Sequence, residues 1–158
     1  MKARLNYGAV SPDTLKAMSS LQSYADTCGL EPLLIELVKT RASQINGCAY
    51  CLDMHTERCA RLGETEQRLY ALSAWREAPF YSERERAALE WTEAITLIAV
   101  DHVPDEVYEA VRPHFTEKEL VDLTLSIVLI NGWNRFAVGF RSQAGKYESK
   151  KQPLAVHE

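Results

Sequence analysis

The chain contains no uninterrupted apolar run long enough to cross a bilayer. Its most apolar stretch, residues 120–140, is broken by Asp122, Asn131, Asn134 and Arg135. Groups of that kind are costly in lipid, so the stretch reads as a core helix. A basic cluster is also missing. The 18 Lys and Arg residues face 22 Asp and Glu, a formal net charge of -4, which argues against a nucleic-acid partner. The opening residues MKARLNYGAVSPD carry no apolar run after their charges and do not read as a signal peptide. No segment alternates with period two between turn signals, and no repeat or low-complexity tract is present, so strands and solenoids are not expected.

What remains is ordinary for a globular chain: 158 residues, 46% apolar and 25% charged. A chain of this size buries roughly two-thirds of its unfolded surface, enough for one domain over residues 1–158 without staples. The four cysteines are therefore not expected to form two structural disulfides. A reducing compartment, by default the cytoplasm, with catalytic or metal-binding cysteines is the better expectation.

Helix signals recur along the chain. Residues 1–10 read as an extended arm with Leu5 and Tyr7 available for packing. Ser11 and Pro12 start a helix to about Cys28, closed by Gly29, with Leu15, Met18, Leu21 and Tyr24 facing inward. A second helix, residues 31–44, is apolar on more than one side, which places it between neighbours and leaves Glu36 partly exposed at most. The cysteine helix spans about residues 48–62 and ends at Gly63, and residues 64–75 form a shorter helix before a loop at 77–81. Ser82 and Glu85 form a capping box for a helix whose face is Ala88, Trp91, Thr92, Ile95, Ile98 and Ala99. A short helix follows Pro104, and Thr116 with Glu119 caps the long apolar helix. The last residues, 146–158, are polar and expected to fray. The fold class is all-α, with six or seven helices.

Chemistry concentrates in residues 44–63, QINGCAYCLDMHTERCARLG. Offsets of three, four and four residues align Cys48, Cys51, His55 and Cys59 along one helical stripe. The first turn of a helix favours a thiolate, and a Cys-x2-Cys pair there can close a disulfide within one turn. Cys51 is then the thiolate that attacks an oxidant and becomes a sulfenic acid. Cys48, with more room at the helix end, condenses with it, and an external dithiol reduces the disulfide. His55 can carry the proton, and Glu36 can orient it by folding back through the 43–47 turn. Two other readings stay open on these residues alone: a zinc site using Cys48, Cys51 and His55, or a pair of buried structural thiols. Cys59 and Cys28 read as small buried hydrophobes. Asn134 and Arg135 read as a polar network between helices rather than a pocket lining, and Trp91 and Trp133 as packing residues.

Glu36, eleven intervening residues, Cys48, two residues, Cys51, three residues and His55 resemble the signature of the alkylhydroperoxidase D-like family, related in fold to carboxymuconolactone decarboxylases. The Trp133, Asn134, Arg135 run is similar to that family's last long helix, and the resemblance spans about residues 12–145. It implies an AhpD-like helical domain assembled as homo-trimers or hexamers, with thiol peroxidase or disulfide reductase activity. It makes Cys51 the peroxide-attacking cysteine, Cys48 its resolving partner, and Glu36 and His55 the proton relay. The implied partners are a small hydroperoxide and a dithiol or protein reductant, with no bound cofactor or metal. The chain departs from the pattern at Tyr50, where the best-studied peroxidases of the family carry histidine. A phenol with a pKa near 10 is a poor proton shuttle at neutral pH but still donates a hydrogen bond, an accessory role. A redox sensor without peroxide turnover is one alternative. A decarboxylase-like enzyme is the other, and it would need a histidine- and arginine-lined pocket.

Overall fold

The computed structural model describes residues 2–145. The described residues form α-helices and short 3-10 turns, with no strand among them. Seven helices exceed one turn: α2 (Pro12–Ala25), α3 (Pro32–Ile45), α4 (Ala49–Arg61), α5 (Glu66–Ala71), α6 (Glu83–Thr96), α8 (Asp105–Val111) and α9 (Glu117–Phe140). Two single turns, α1 (Tyr7–Val10) and α7 (Ile98–Asp101), join them. The expected fraying of residues 146–158 falls outside the described residues.

α3 is the central helix and packs against α4, α6 and α9. Its sequence suits this position, because its apolar residues spread over more than one side and cannot all be buried against a single neighbour. Leu34, Ile35 and Val38 join Ala88, Trp91, Leu123 and Ile127 in the largest core cluster, while Leu37 faces Cys59, Leu72, Trp75 and Leu89 on the opposite side. Pro32 occupies its first turn, where the missing N–H has no acceptor to lose. α6 and α9 both begin with the reciprocal capping box expected of them, Ser82 with Glu85 and Thr116 with Glu119.

Three expectations are corrected. Residues 7–10 are not extended: Asn6 accepts a hydrogen bond from the Ala9 N–H and starts a helical turn, and Tyr7 stacks on Phe136 and Phe140. Leu15, Leu21 and Tyr24 do not face inward and remain 37%, 48% and 50% exposed. The reason is that α2 packs mainly on α1 and on α9, and such a contact covers a narrow strip. Glu36, expected to be partly exposed at most, is buried. The face ending in Ile98 and Ala99 stops short, because Leu97 leaves helical geometry at φ -99°, ψ 25°, and α7 turns Ile98 to solvent.

Candidate functional site

The α3–α4 turn builds the site. Gly47 adopts φ 63°, a left-handed conformation that glycine takes without cost, and this reverses the chain within three residues. α4 therefore folds back antiparallel on α3, with its N-terminus beside the α3 C-terminus. Asn46 fixes the turn from the side: its amide donates to Asn131 Oδ1 at 2.9 Å and to Asn134 Oδ1 at 2.8 Å, both on α9. The amide of Asn134 in turn donates to Ser43 Oγ at 3.1 Å. Arg135 donates to the Asn131 carbonyl and side chain, so the polar residues of α9 form a network between helices, as the sequence reading expects.

Cys48 is the N-cap of α4 and its sulfur accepts from the Cys51 N–H at 3.4 Å. Cys48 and Cys51 are joined as a disulfide, with Cα atoms 5.4 Å apart. Both are buried, 1% and 2% exposed, so the open position expected for Cys48 is not seen as surface area. The difference between the two is directional. A cleft of about 430 Å³ borders Cys48, Tyr50, Ala137, Val138 and Arg141, and Cys51 is not among its walls.

One turn beyond Cys51, His55 Nδ1 meets Glu36 Oε2 at 2.6 Å. Glu36 also accepts from Lys39 Nζ at 3.1 Å, and Arg58 Nη1 lies 3.7 Å from the same oxygen. Lys39 is nearly inaccessible and its ammonium reaches Asp26 Oδ1 at 3.2 Å as well. Burial by itself would raise the Glu36 pKa, but the His55 hydrogen bond and the Lys39 and Arg58 charges overcome it and hold the carboxyl at about 2. Burial also lowers the pKa of His55 and favours the neutral ring, against the pull of Glu36. A neutral His55 donates Nδ1–H to the carboxylate and keeps a lone pair on Nε2 for proton exchange. Cys59 lies farther along the stripe with its thiol pushed up to about 12 by burial, which leaves it unreactive. Among the described residues no three His, Cys, Asp or Glu side chains gather in a metal-binding group, and His55 is turned to Glu36 rather than grouped with the sulfurs.

The carboxymuconolactone decarboxylase family model matches residues 12–94, more than half of the chain. The uncharacterized protein YdfG of Bacillus subtilis is 46% identical over 144 residues, covering 91% of this chain and 98% of YdfG. The chain belongs to the carboxymuconolactone decarboxylase family. Within this AhpD-like superfamily it is also 33% identical over 107 residues to the uncharacterized protein YnjA of Escherichia coli, covering 68% of this chain and 58% of YnjA. The crystal structure of ATU0492 from Agrobacterium tumefaciens superposes with a TM-score of 0.88 at 48% identity, over 90% of this chain and 97% of that one. ATU0492 is a protein of unknown function described as a candidate antioxidant defence protein AhpD.

In this family member the structure pairs Glu36 with His55 and Cys48 with Cys51, with His55 one helical turn beyond Cys51 on α4 and Tyr50 half-buried at the cleft. Sequence reasoning missed Lys39, Arg58 and Asn46 as parts of the arrangement. Lys39 carried a signal: it stands three residues after Glu36 on a helix expected to lie between neighbours, so the two opposite charges can pair there. No helix among the described residues is long and apolar enough to cross a membrane.

Proposed function

We propose that the protein is a thiol-dependent peroxidase that reduces hydrogen or organic hydroperoxides. The observation that carries this reading is the Glu36–His55 pair, buried one helical turn from a Cys48–Cys51 disulfide at a helix N-terminus. In the reduced protein His55 Nε2 takes the proton of the Cys51 thiol. The thiolate attacks one oxygen of the hydroperoxide, the O–O bond breaks, and the proton returns to the departing alkoxide. Cys51 is now a sulfenic acid. The Cys48 thiol condenses with it, releasing water and forming the disulfide, and an external dithiol supplies two electrons and two protons to close the cycle. Glu36 holds the His55 tautomer, and its negative charge steadies the imidazolium that forms in transit. The cycle needs no metal or cofactor and suits a reducing compartment such as the cytoplasm.

The experiment is peroxide consumption by the reduced protein with a dithiol for turnover. In Cys51→Ser the initial sulfur oxidation disappears, and in Cys48→Ser a sulfenic acid accumulates on Cys51 and can be trapped chemically. Unchanged peroxide consumption in both variants refutes the reading.

A second reading, a disulfide reductase with little peroxide turnover, is favoured by Tyr50 and by the cleft opening toward Cys48 rather than Cys51. Fast reduction of a disulfide substrate by the reduced protein, with slow peroxide consumption, would select it.

A further inference from the structure

We infer that the cleft beside Cys48 is the binding site for a small thiol reductant carrying a negative charge, and that Arg141 selects for that charge. This inference rests on the redox role proposed for the Cys48–Cys51 pair, though not on peroxide being its oxidant.

Three observations support it. The cleft, about 430 Å³, has the volume of a small-molecule site and reaches only one of the two sulfur-bearing residues, Cys48. Cys48 is 1% exposed, so a folded reductant presenting a broad surface has little to grip, while a slender thiol can approach along the cleft. Small apolar residues such as Ala137 and Val138 share the walls with the polar Tyr50, Ser142 and Gln143, and the cationic residue among them is Arg141.

Two positive features border the cleft itself. Gly47, Cys48 and Tyr50 surround the N-terminus of α4, where partial positive charge collects, and Arg141 adds a full charge on the facing wall. Among the described residues no carboxylate hydrogen-bonds or ion-pairs with Arg141. Asp53 supplies the opposing charge at the end of this loop, beyond the cleft walls, where its carboxylate accepts from the Gly145 N–H at 2.8 Å. Arg141 is also held in a left-handed conformation, φ 58° and ψ 54°, at the end of α9. Glycine or asparagine fits such a position with less strain. An arginine there carries a backbone cost that a mere helix stop does not require, and such strain gathers at functional positions.

The chemistry balances without further components. The thiolate of the reductant attacks Cys48 Sγ, the Cys48–Cys51 bond breaks, and Cys51 leaves as a thiolate at the helix N-terminus. A second thiol then attacks the mixed disulfide on Cys48. Two thiols become one disulfide, and their two protons and two electrons restore Cys48 and Cys51.

The test is single-turnover reduction of the oxidised full chain, with the disulfide formed by a diazene oxidant so that peroxide chemistry plays no part. Three thiols of similar size are compared: 2-mercaptoethanesulfonate, 2-mercaptoethanol and cysteamine, each rate divided by its thiolate concentration. The expected order is anionic, neutral, cationic, with about a threefold to tenfold step at low ionic strength that shrinks as salt is added. Arg141→Asn, which keeps a side chain suited to left-handed backbone, is expected to remove most of the anionic-to-neutral ratio, and Arg141→Lys to retain it. With limiting thiol, the mixed disulfide should map to Cys48. A wild-type protein with no charge order, a ratio unchanged in Arg141→Asn, or a mixed disulfide on Cys51 would each overturn the inference. If the peroxidase reading fails while the charge order holds, the cleft assignment stands alone.

Discussion

Replacing Lys39 with methionine tests whether the buried charges at the site act as one unit. The substitution keeps an unbranched chain of similar volume and removes the ammonium 3.1 Å from Glu36. At an effective dielectric near 20, a charge pair at that separation attracts by about 5 kcal/mol. Methionine also removes the cost of burying the ammonium, so the net loss is smaller, on the order of 3 kcal/mol. Glu36 would keep only the His55 hydrogen bond and the longer contact with Arg58 at 3.7 Å. Urea unfolding followed by tryptophan fluorescence, at fixed protein concentration, measures the loss. Its pH dependence adds a second, independent readout. In the wild type the Glu36 pKa is depressed to about 2 from an ordinary 4.5, so its contribution is full above pH 4.5 and is lost as pH falls toward 2. Lys39→Met raises that folded-state pKa. The gap between the two proteins should then be widest near neutral pH and narrow through the same acid window. A gap under about 1 kcal/mol at neutral pH, or one that does not change with acid, would refute the reasoning.

Further consequences can be measured in the same way. His55 is kept neutral by burial, so its contribution is present above its ordinary pKa of 6.5 and declines as acid charges the unfolded chain; in His55→Gln that part of the acid sensitivity should vanish from unfolding curves. Asn46→Ala leaves Asn134 Oδ1 without its donor and Asn131 Oδ1 with Arg135 alone, and should cost about 1–3 kcal/mol in chemical denaturation. Gly47→Ala places a Cβ at φ 63°, with open space around it, so backbone strain alone should cost about 1 kcal/mol. Tyr50→His supplies a side chain that titrates near neutrality and should raise peroxide turnover in steady-state assays without changing the mapped disulfide.

The sequence made the helices legible where two signals coincided. Ser82 with Glu85 and Thr116 with Glu119 fixed two helix starts, because a capping box satisfies specific backbone donors whatever packs above it. The spread of the apolar residues of α3 over more than one side likewise placed it between neighbours. The α2 face was misjudged because helical periodicity states which residues share a side but not how much of that side a neighbour covers. The site divides along the same line. Cys48, Cys51 and His55 share one helix, so their spacing alone aligned them. Glu36 lies on another helix, and its place opposite His55 depended on the sharp turn at Gly47. Lys39 and Arg58 escaped notice because they are ordinary residues made consequential by a buried carboxylate.

The amide clasp on the α3–α4 turn also sets an order of events during synthesis. Asn46 finds its acceptors 85 and 88 residues later in the chain. At a translation rate of about 5–20 residues per second, the newborn turn waits on the order of 4–18 seconds for α9 to be made. Throughout that interval Cys48 and Cys51 are present without Ile130 and Ala137, the α9 residues that cover them in the finished fold. A nascent chain stalled before α9 should therefore expose both thiols to bulky alkylating reagents more fully than the completed protein does in its reduced form.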